Sequence, residues 1–174
     1  ENYVDEVKKA LALRLDKTII GNPLNEEVRM GALVGRTQLS EVKEKVADLA
    51  KLTPIVYGDL NMVNLVGVDA SCGSFMSPIL MLNERPFDYL QSHEIEVFGP
   101  VSTLIPYKDI DEAISISKLG KGSLVSSIIT SNPDIASNYV IGSAAYHGRI
   151  LVLNESCAKE STGHGSPLPL LVHG

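Results

Sequence analysis

Apolar residues recur at helical spacing in two places near the amino end of the chain. Val4, Val7, Leu11 and Leu15 form one stripe, with Lys8, Lys9 and Arg14 turned outward and Asn2 available as a cap, so the pattern predicts an amphipathic helix that Gly21-Asn22-Pro23 ends. Leu39, Val42, Val46 and Leu49 form a second, cleaner stripe. On that helix Glu41 precedes Lys45 by four residues, the favourable order for a surface ion pair, and Pro54 closes it.

The period then changes. Pro54 to Tyr57, Phe75 to Leu82 and Pro100 to Tyr107 are short apolar or β-branched runs separated by Gly, Asn and Asp, and read as strands. Asp109 with Glu112 has the spacing of a capping box and opens a helix over Ile110, Ala113, Ile114 and Ser117, which Gly120 and Gly122 terminate. Leu124 to Ile129 does not alternate, as a strand covered on both faces should not. Asn132-Pro133-Asp134 starts another helix with a cap residue, Pro in the first turn and an acid at the positive dipole end; Gly148 is expected to end it, and Arg149 to Asn154 to form a further buried strand. The order strand, helix, strand, helix, strand over 100–154 implies two right-handed crossovers and a parallel sheet. The expected fold is α/β, a mostly parallel sheet with flanking helices, in a single domain over 1–174 whose residues 155–174 form an irregular loop and tail.

Composition narrows the possibilities. The 174 residues are 44% hydrophobic with no Trp, a globular α/β balance. Acids outnumber bases 21 to 15, the net charge is -6, and the basic residues are scattered singly, which argues against nucleic acid as a partner. No apolar run approaches the roughly 18–20 residues of a membrane span, and no signal-peptide pattern follows Glu1, so a soluble cytoplasmic protein without a membrane partner is expected. Cys72 and Cys157 lack metal or redox spacing, and His93, His147, His164 and His173 show no ligand pattern, so no metal site is expected.

Candidate chemistry sits in two places. The loop leaving the last strand, Asn154 to Ser166, carries Lys159, Glu160, Ser161, His164 and a Gly163-x-Gly165 pair, where ligands of α/β sheets collect; a polar surface loop explains the same composition equally well. The other is the corner His93 to Tyr107, where an acidic run turns through Phe-Gly-Pro into an apolar strand. Glu94 and Glu96 would point the same way in an extended segment, as a carboxylate pair or as two solvated acids. A carboxylate at Glu96 can accept from two vicinal hydroxyls, and Phe98 offers a flat face of ring size. Sugar plus flat heterocycle is what a nucleotide presents.

Glu96-Val97-Phe98-Gly99-Pro100-Val101 matches the E-x-F-G-P-V motif of the NAD(P)-dependent aldehyde dehydrogenases. Gly21-Asn22-Pro23 with Met30-Gly31-Ala32-Leu33-Val34 resembles that family's G-D-P and G-P-L-I segments, Ser77-Pro78-Ile79-Leu80 its P-x-x-L strand, Asp111-Glu112-Ala113-Ile114 its D-E-A-I helix, and Leu151-Val152-Leu153-Asn154 its terminal V-N strand. Order and spacing agree from about Val4 to Asn154. Beyond Asn154 the A-K-E-S-T-G-H-G-S-P-L-P tail departs from the usual G-G-x-K-x-S-G-x-G loop and resembles one branch, the bifunctional ring-opening enzymes of phenylacetate degradation, whose dehydrogenase domain oxidises a semialdehyde carried on coenzyme A.

The resemblance implies that Glu96 holds the hydroxyls of the nicotinamide ribose and that Phe98 lies against the nicotinamide of NADP or NAD. Gly99-Pro100 then turns the chain so that both side chains reach the cofactor. It further implies that Ser161 and His164 line the aldehyde entrance, with Asn154 holding that loop, and a homo-oligomer is the expected assembly. The family's nucleophilic cysteine (G-Q-x-C), its general base (E-L-G-G) and its Rossmann half have no counterpart here. No catalytic residue is therefore assigned, the chain resembles the C-terminal part of a catalytic domain, and alone it is expected to be inactive. Two other readings stand beside this one: a non-catalytic assembly module with exposed strand edges, and a cysteine hydrolase using Cys72 with His147 or His164.

Overall fold

A computed structural model describes residues 3–157. They form a mixed α/β structure that divides into two compact units, one running to Pro106 and the other starting at Tyr107. In the first unit α1 (Val4–Leu15), β1 (Ile20–Gly21), α2 (Arg36–Leu49), β2 (Ile55–Tyr57), β3 (Leu65–Val66), β4 (Ile79–Leu82), the single turn α3 (Gln91–Glu94) and β5 (Val101–Leu104) follow in order. A 3-10 turn, Ala70–Cys72, precedes β4.

The second helical stripe organises this unit. Val42, Val46 and Leu49 of α2 are buried against Met76, Ile79 and Met81, and Leu33, Leu39, Ile95, Val97 and Val101 pack around them. All four residues of β4 are buried, because β4 is the central strand: β5 runs parallel to it in the register Ile79 to Val101, and β2 runs antiparallel on its other edge. The first stripe behaves differently. Helix α1 forms over the expected stripe but ends at Leu15, ahead of Gly21-Asn22-Pro23, whose Gly21 belongs to β1; it buries none of its residues, and its N-cap is Tyr3, without a side-chain bond, while Asn2 lies outside the described residues.

In the second unit α4 (Ile110–Leu119), β6 (Ser123–Ile129), α5 (Pro133–Ser143), a 3-10 turn (Ala144–Tyr146) and β7 (His147–Leu153) follow. Both helix starts form as their sequences dictate. Asp109 accepts from the Glu112 amide at 2.9 Å while the Glu112 carboxylate accepts from the Lys108 amide at 2.6 Å, and Asn132 Oδ1 accepts from the amides of Asp134 and Ile135 at 2.9 and 3.2 Å. The crossover β6-α5-β7 yields a parallel ladder from Ser123-His147 to Ile129-Leu153.

Three expectations need correcting. The strands of 100–154 do not share one ladder: β5 pairs with β4, and β6 pairs with β7, since sequence order sets strand direction but not adjacency. Strand β6 is not covered on both faces, with Leu124 and Ile129 at its ends 83% and 80% exposed. Gly148 does not end α5, which stops at Ser143. It lies inside β7, where a Cβ would sit 2.9 Å from the Leu124 carbonyl oxygen, so its role is close strand approach. Among the described residues three of the four ladders, β1-β3, β4-β5 and β6-β7, are parallel.

Candidate cofactor-binding corner

The corner starts where α3 ends. Ile95 is extended (φ -94, ψ 108), and from there the chain alternates: Ile95 and Val97 pack on the α2 core, while Glu96 and Phe98 face outward. A period of two places those outward side chains on one face. Phe98 is 69% exposed, a large ring left uncovered beside a well-packed core. Among the described residues the Glu96 carboxylate has neither a hydrogen bond nor an ion pair, so all its acceptor capacity is open.

Helix α2 holds the main chain of this segment. Lys45 Nζ donates to the Glu96 carbonyl at 2.8 Å, and Gln38 Nε2 donates to the Phe98 carbonyl at 2.6 Å while its Oε1 accepts from the Val34 amide at 3.0 Å. Two tight turns follow. The Gly99 amide bonds the Val97 carbonyl and the Val101 amide bonds the Gly99 carbonyl, each at 2.8 Å, the three-residue spacing of γ-turns. The Pro100 carbonyl then accepts from the Ile79 amide at 2.9 Å and β5 enters the sheet. Gly99 is required by packing: a Cβ there would lie 2.9 and 3.1 Å from the two γ-carbons of Val42. Leu33, Gln38, Val97, Phe98 and Gly99 line an open recess of about 380 Å³.

The corner lies at the amino end of β5, so the rule that places ligands at carboxyl ends of strands does not locate it. Glu94 closes the α3 turn and is not part of an extended run, so the two glutamates do not form an alternating carboxylate pair. The expected Glu41-Lys45 pair is not made either, because the lysine reaches the main chain of Glu96 instead. Lys45 and Gln38 are the site residues that sequence reasoning missed. Their partners lie 51 and 60 residues away, and no local spacing signals such contacts.

Of the loop after β7, Asn154 is described. Its Oδ1 accepts from the Ser156 amide and hydroxyl at 2.9 and 2.6 Å, and its amide bonds Cys157 Sγ at 3.2 Å, a self-capped turn. Ser161 and His164 lie outside the described residues. Cys72 is exposed on its 3-10 turn with no base hydrogen-bonded to it among the described residues, and His147 Nδ1 is engaged by Ser123 Oγ at 2.7 Å. His93, on α3, has a buried Nε2 without a partner among the described residues; burial pushes its pKa below the usual imidazole value, against the opposing pull of a main-chain bond at Pro86 and the charge of Glu94. Among the described residues no group of three or more His, Cys, Asp or Glu could hold a metal, and no helix is long and apolar enough to cross a membrane.

Comparison with known proteins bears on the whole arrangement. The profile of the aldehyde dehydrogenase family matches residues 1–158. The protein MaoC of Klebsiella aerogenes is 40% identical over 147 residues, 83% of this chain and 42% of that protein. The 3,4-dehydroadipyl-CoA semialdehyde dehydrogenase of Aromatoleum evansii is 35% identical over 155 residues, 89% of this chain and 30% of that one. Among solved structures, a betaine aldehyde dehydrogenase double mutant of Staphylococcus aureus in complex with NAD+ superposes with a TM-score of 0.75 at 21% identity, covering 87% of this chain and 30% of that one. This chain thus spans 30–42% of the length of these relatives. With a family profile over nearly its whole length, the chain belongs to the aldehyde dehydrogenase family.

Proposed function

We propose that this chain forms the nicotinamide side of the NADP or NAD site in a dehydrogenase that oxidises a CoA-linked semialdehyde to its acid, in the catabolism of aromatic compounds such as phenylacetate. The observation that carries the reading is the shared outward face of Glu96 and Phe98, one an open carboxylate and the other an uncovered ring. The side chains present fit the group. An ionised carboxylate accepts from the two vicinal hydroxyls of a ribose, and a phenyl face stacks on a flat heterocycle. The substrate class is supported by the relative named for a CoA semialdehyde and by the chain's tail.

A nicotinamide cofactor, when bound, supplies the acceptor for the hydride that leaves the aldehyde carbon. The chain's own part is to bind and orient. Glu96 fixes the ribose by two charge-assisted bonds, Phe98 restricts the ring to one tilt, and Asn154, with Ser161 and His164, shapes the aldehyde side. Such positioning contributes by holding reactants near attack distance. The attacking thiolate comes from elsewhere in the enzyme, since neither Cys72 nor Cys157 has an activating base among the described residues. Assembly as a homo-oligomer in the cytoplasm belongs to the same proposal; exposed Leu124 and Ile129 of β6 are apolar surface of the kind an assembly covers.

In the whole dehydrogenase that carries this chain, Glu96→Ala should raise the cofactor KM about 10- to 100-fold, the loss of one or two charge-assisted hydrogen bonds. Unchanged cofactor kinetics would remove the assignment. The 174-residue chain by itself should show no NAD(P) reduction; turnover abolished by Cys72→Ala would overturn that part of the proposal.

A further inference from the structure

We propose that Lys45 is a positioning residue, which aims the Glu96 carboxylate by fixing the peptide that bears it. The inference rests on the reading of Glu96 and Phe98 as the cofactor face, and adds a residue on another element to it. Ile95 and Val97 are each anchored in the α2 cluster, so the piece of chain between them can still tilt about its own axis. The direction in which the Glu96 side chain leaves depends on that tilt. A bond at the Glu96 carbonyl removes the freedom, and the Lys45 ammonium makes it at 2.8 Å.

The helix supplies the geometry. Val42, Val46 and Leu49 fix the rotational phase of α2, and position 45 flanks that buried stripe, so its side chain leaves along the boundary between core and solvent. Gln38 and Lys45 are seven residues apart, which on an α-helix is about 10.5 Å. Their targets, the carbonyls of Phe98 and Glu96, are two residues apart along the chain.

The choice of target matters as much as the reach. A lysine next to a glutamate would ordinarily pair with its carboxylate, and that bond would compete with any ligand hydroxyl. Lys45 bonds the main chain and leaves the carboxylate without an ion pair among the described residues. The acceptor is thereby aimed without being consumed.

The test is a double-mutant cycle in the whole dehydrogenase, with cofactor dissociation constants measured by nucleotide fluorescence and the KM and kcat for cofactor measured alongside. Lys45→Met should weaken cofactor binding on the order of tenfold, the scale of one charged hydrogen bond, with a smaller change in kcat. Lys45→Arg, which keeps a long cationic donor, should restore binding to within about twofold. Lys45→Met added to Glu96→Ala should cost nothing further, because the first acts through the second. If the two losses multiply, Lys45 acts independently or through general stability, and the inference fails. If Lys45→Met binds like the parent while Glu96→Ala is impaired, the inference fails but the cofactor face stands. An unimpaired Glu96→Ala sinks both.

Discussion

Replacing Gly99 by alanine tests the packing beneath the corner. The added methyl would lie 2.9 and 3.1 Å from the Val42 γ-carbons, where carbon atoms in good contact sit about 3.5–4.0 Å apart. Val42 is 1% exposed, and a β-branched side chain in a helix has one strongly preferred rotamer, so it cannot swing aside. Strand β5 must shift or α2 must move, and overpacking of this kind costs about 1–3 kcal/mol. For a protein of 150–250 residues each kcal/mol lowers the thermal midpoint by roughly 2–4 °C. Val42→Ala alone empties space in the same cluster and should cost about 2 kcal/mol. In the double variant the new methyl occupies part of that space, so the pair should be at least about 0.5–1 kcal/mol more stable than the sum of the single costs requires. Urea denaturation of the four proteins measures this coupling. Costs that add, or a Gly99→Ala variant as stable as the parent, would refute the claim that residue 99 is glycine because of Val42.

Other outcomes follow from single residues. His93 is held below its ordinary pKa of 6.5 by burial, so the unfolded state binds the proton more readily; the stability it contributes is complete above about pH 6.5 and is lost as pH falls through and below that value. Thermal midpoints between pH 5 and 7.5 should therefore fall with acid, and His93→Gln should flatten the slope. Asn132→Ala removes both side-chain bonds at the start of α5 and should cost about 1 kcal/mol by chemical denaturation. Asn83 is fully buried and bonds the Tyr89 carbonyl, the Ser92 hydroxyl and the Arg85 amide, at 2.8 to 3.0 Å; Asn83→Leu should cost about 2–4 kcal/mol and expose the 84–94 segment to proteolysis.

What could be read from the chain alone depended on how local the determining physics was. The α2 stripe and the caps at Asp109 and Asn132 are set by neighbours within a turn, and all three form as read. The outward placement of Glu96 and Phe98 against Ile95 and Val97 rests on an alternation that is also local. Contacts across the fold were not. A Glu41-Lys45 spacing pointed to a helix-surface pair worth only a few tenths of a kcal/mol, and the carbonyl of a residue 51 positions away outcompeted it. The division of the strands into separate ladders was hidden for the same reason, since apolar runs record that a strand pairs but not with which neighbour.

The exposure of Phe98 has a cost that the fold must offset. Leaving a phenylalanine side chain in water forgoes about 1.5–3 kcal/mol of burial, and a free chain would turn the ring inward. It cannot do so here because an alternating run has only two faces. Ile95 and Val97 already occupy the inner one, Gly99 is pressed against Val42, and Gln38 and Lys45 hold the carbonyls that a rotation of the segment would have to break. The same helix therefore both buries the core and keeps the ring out of it. If the outward face holds the cofactor as proposed, its competence is coupled to the stability of α2, and a substitution that loosens Val42, Val46 or Leu49 should weaken cofactor binding in the whole dehydrogenase before the protein unfolds, by letting Phe98 collapse onto the space that the core residues vacate.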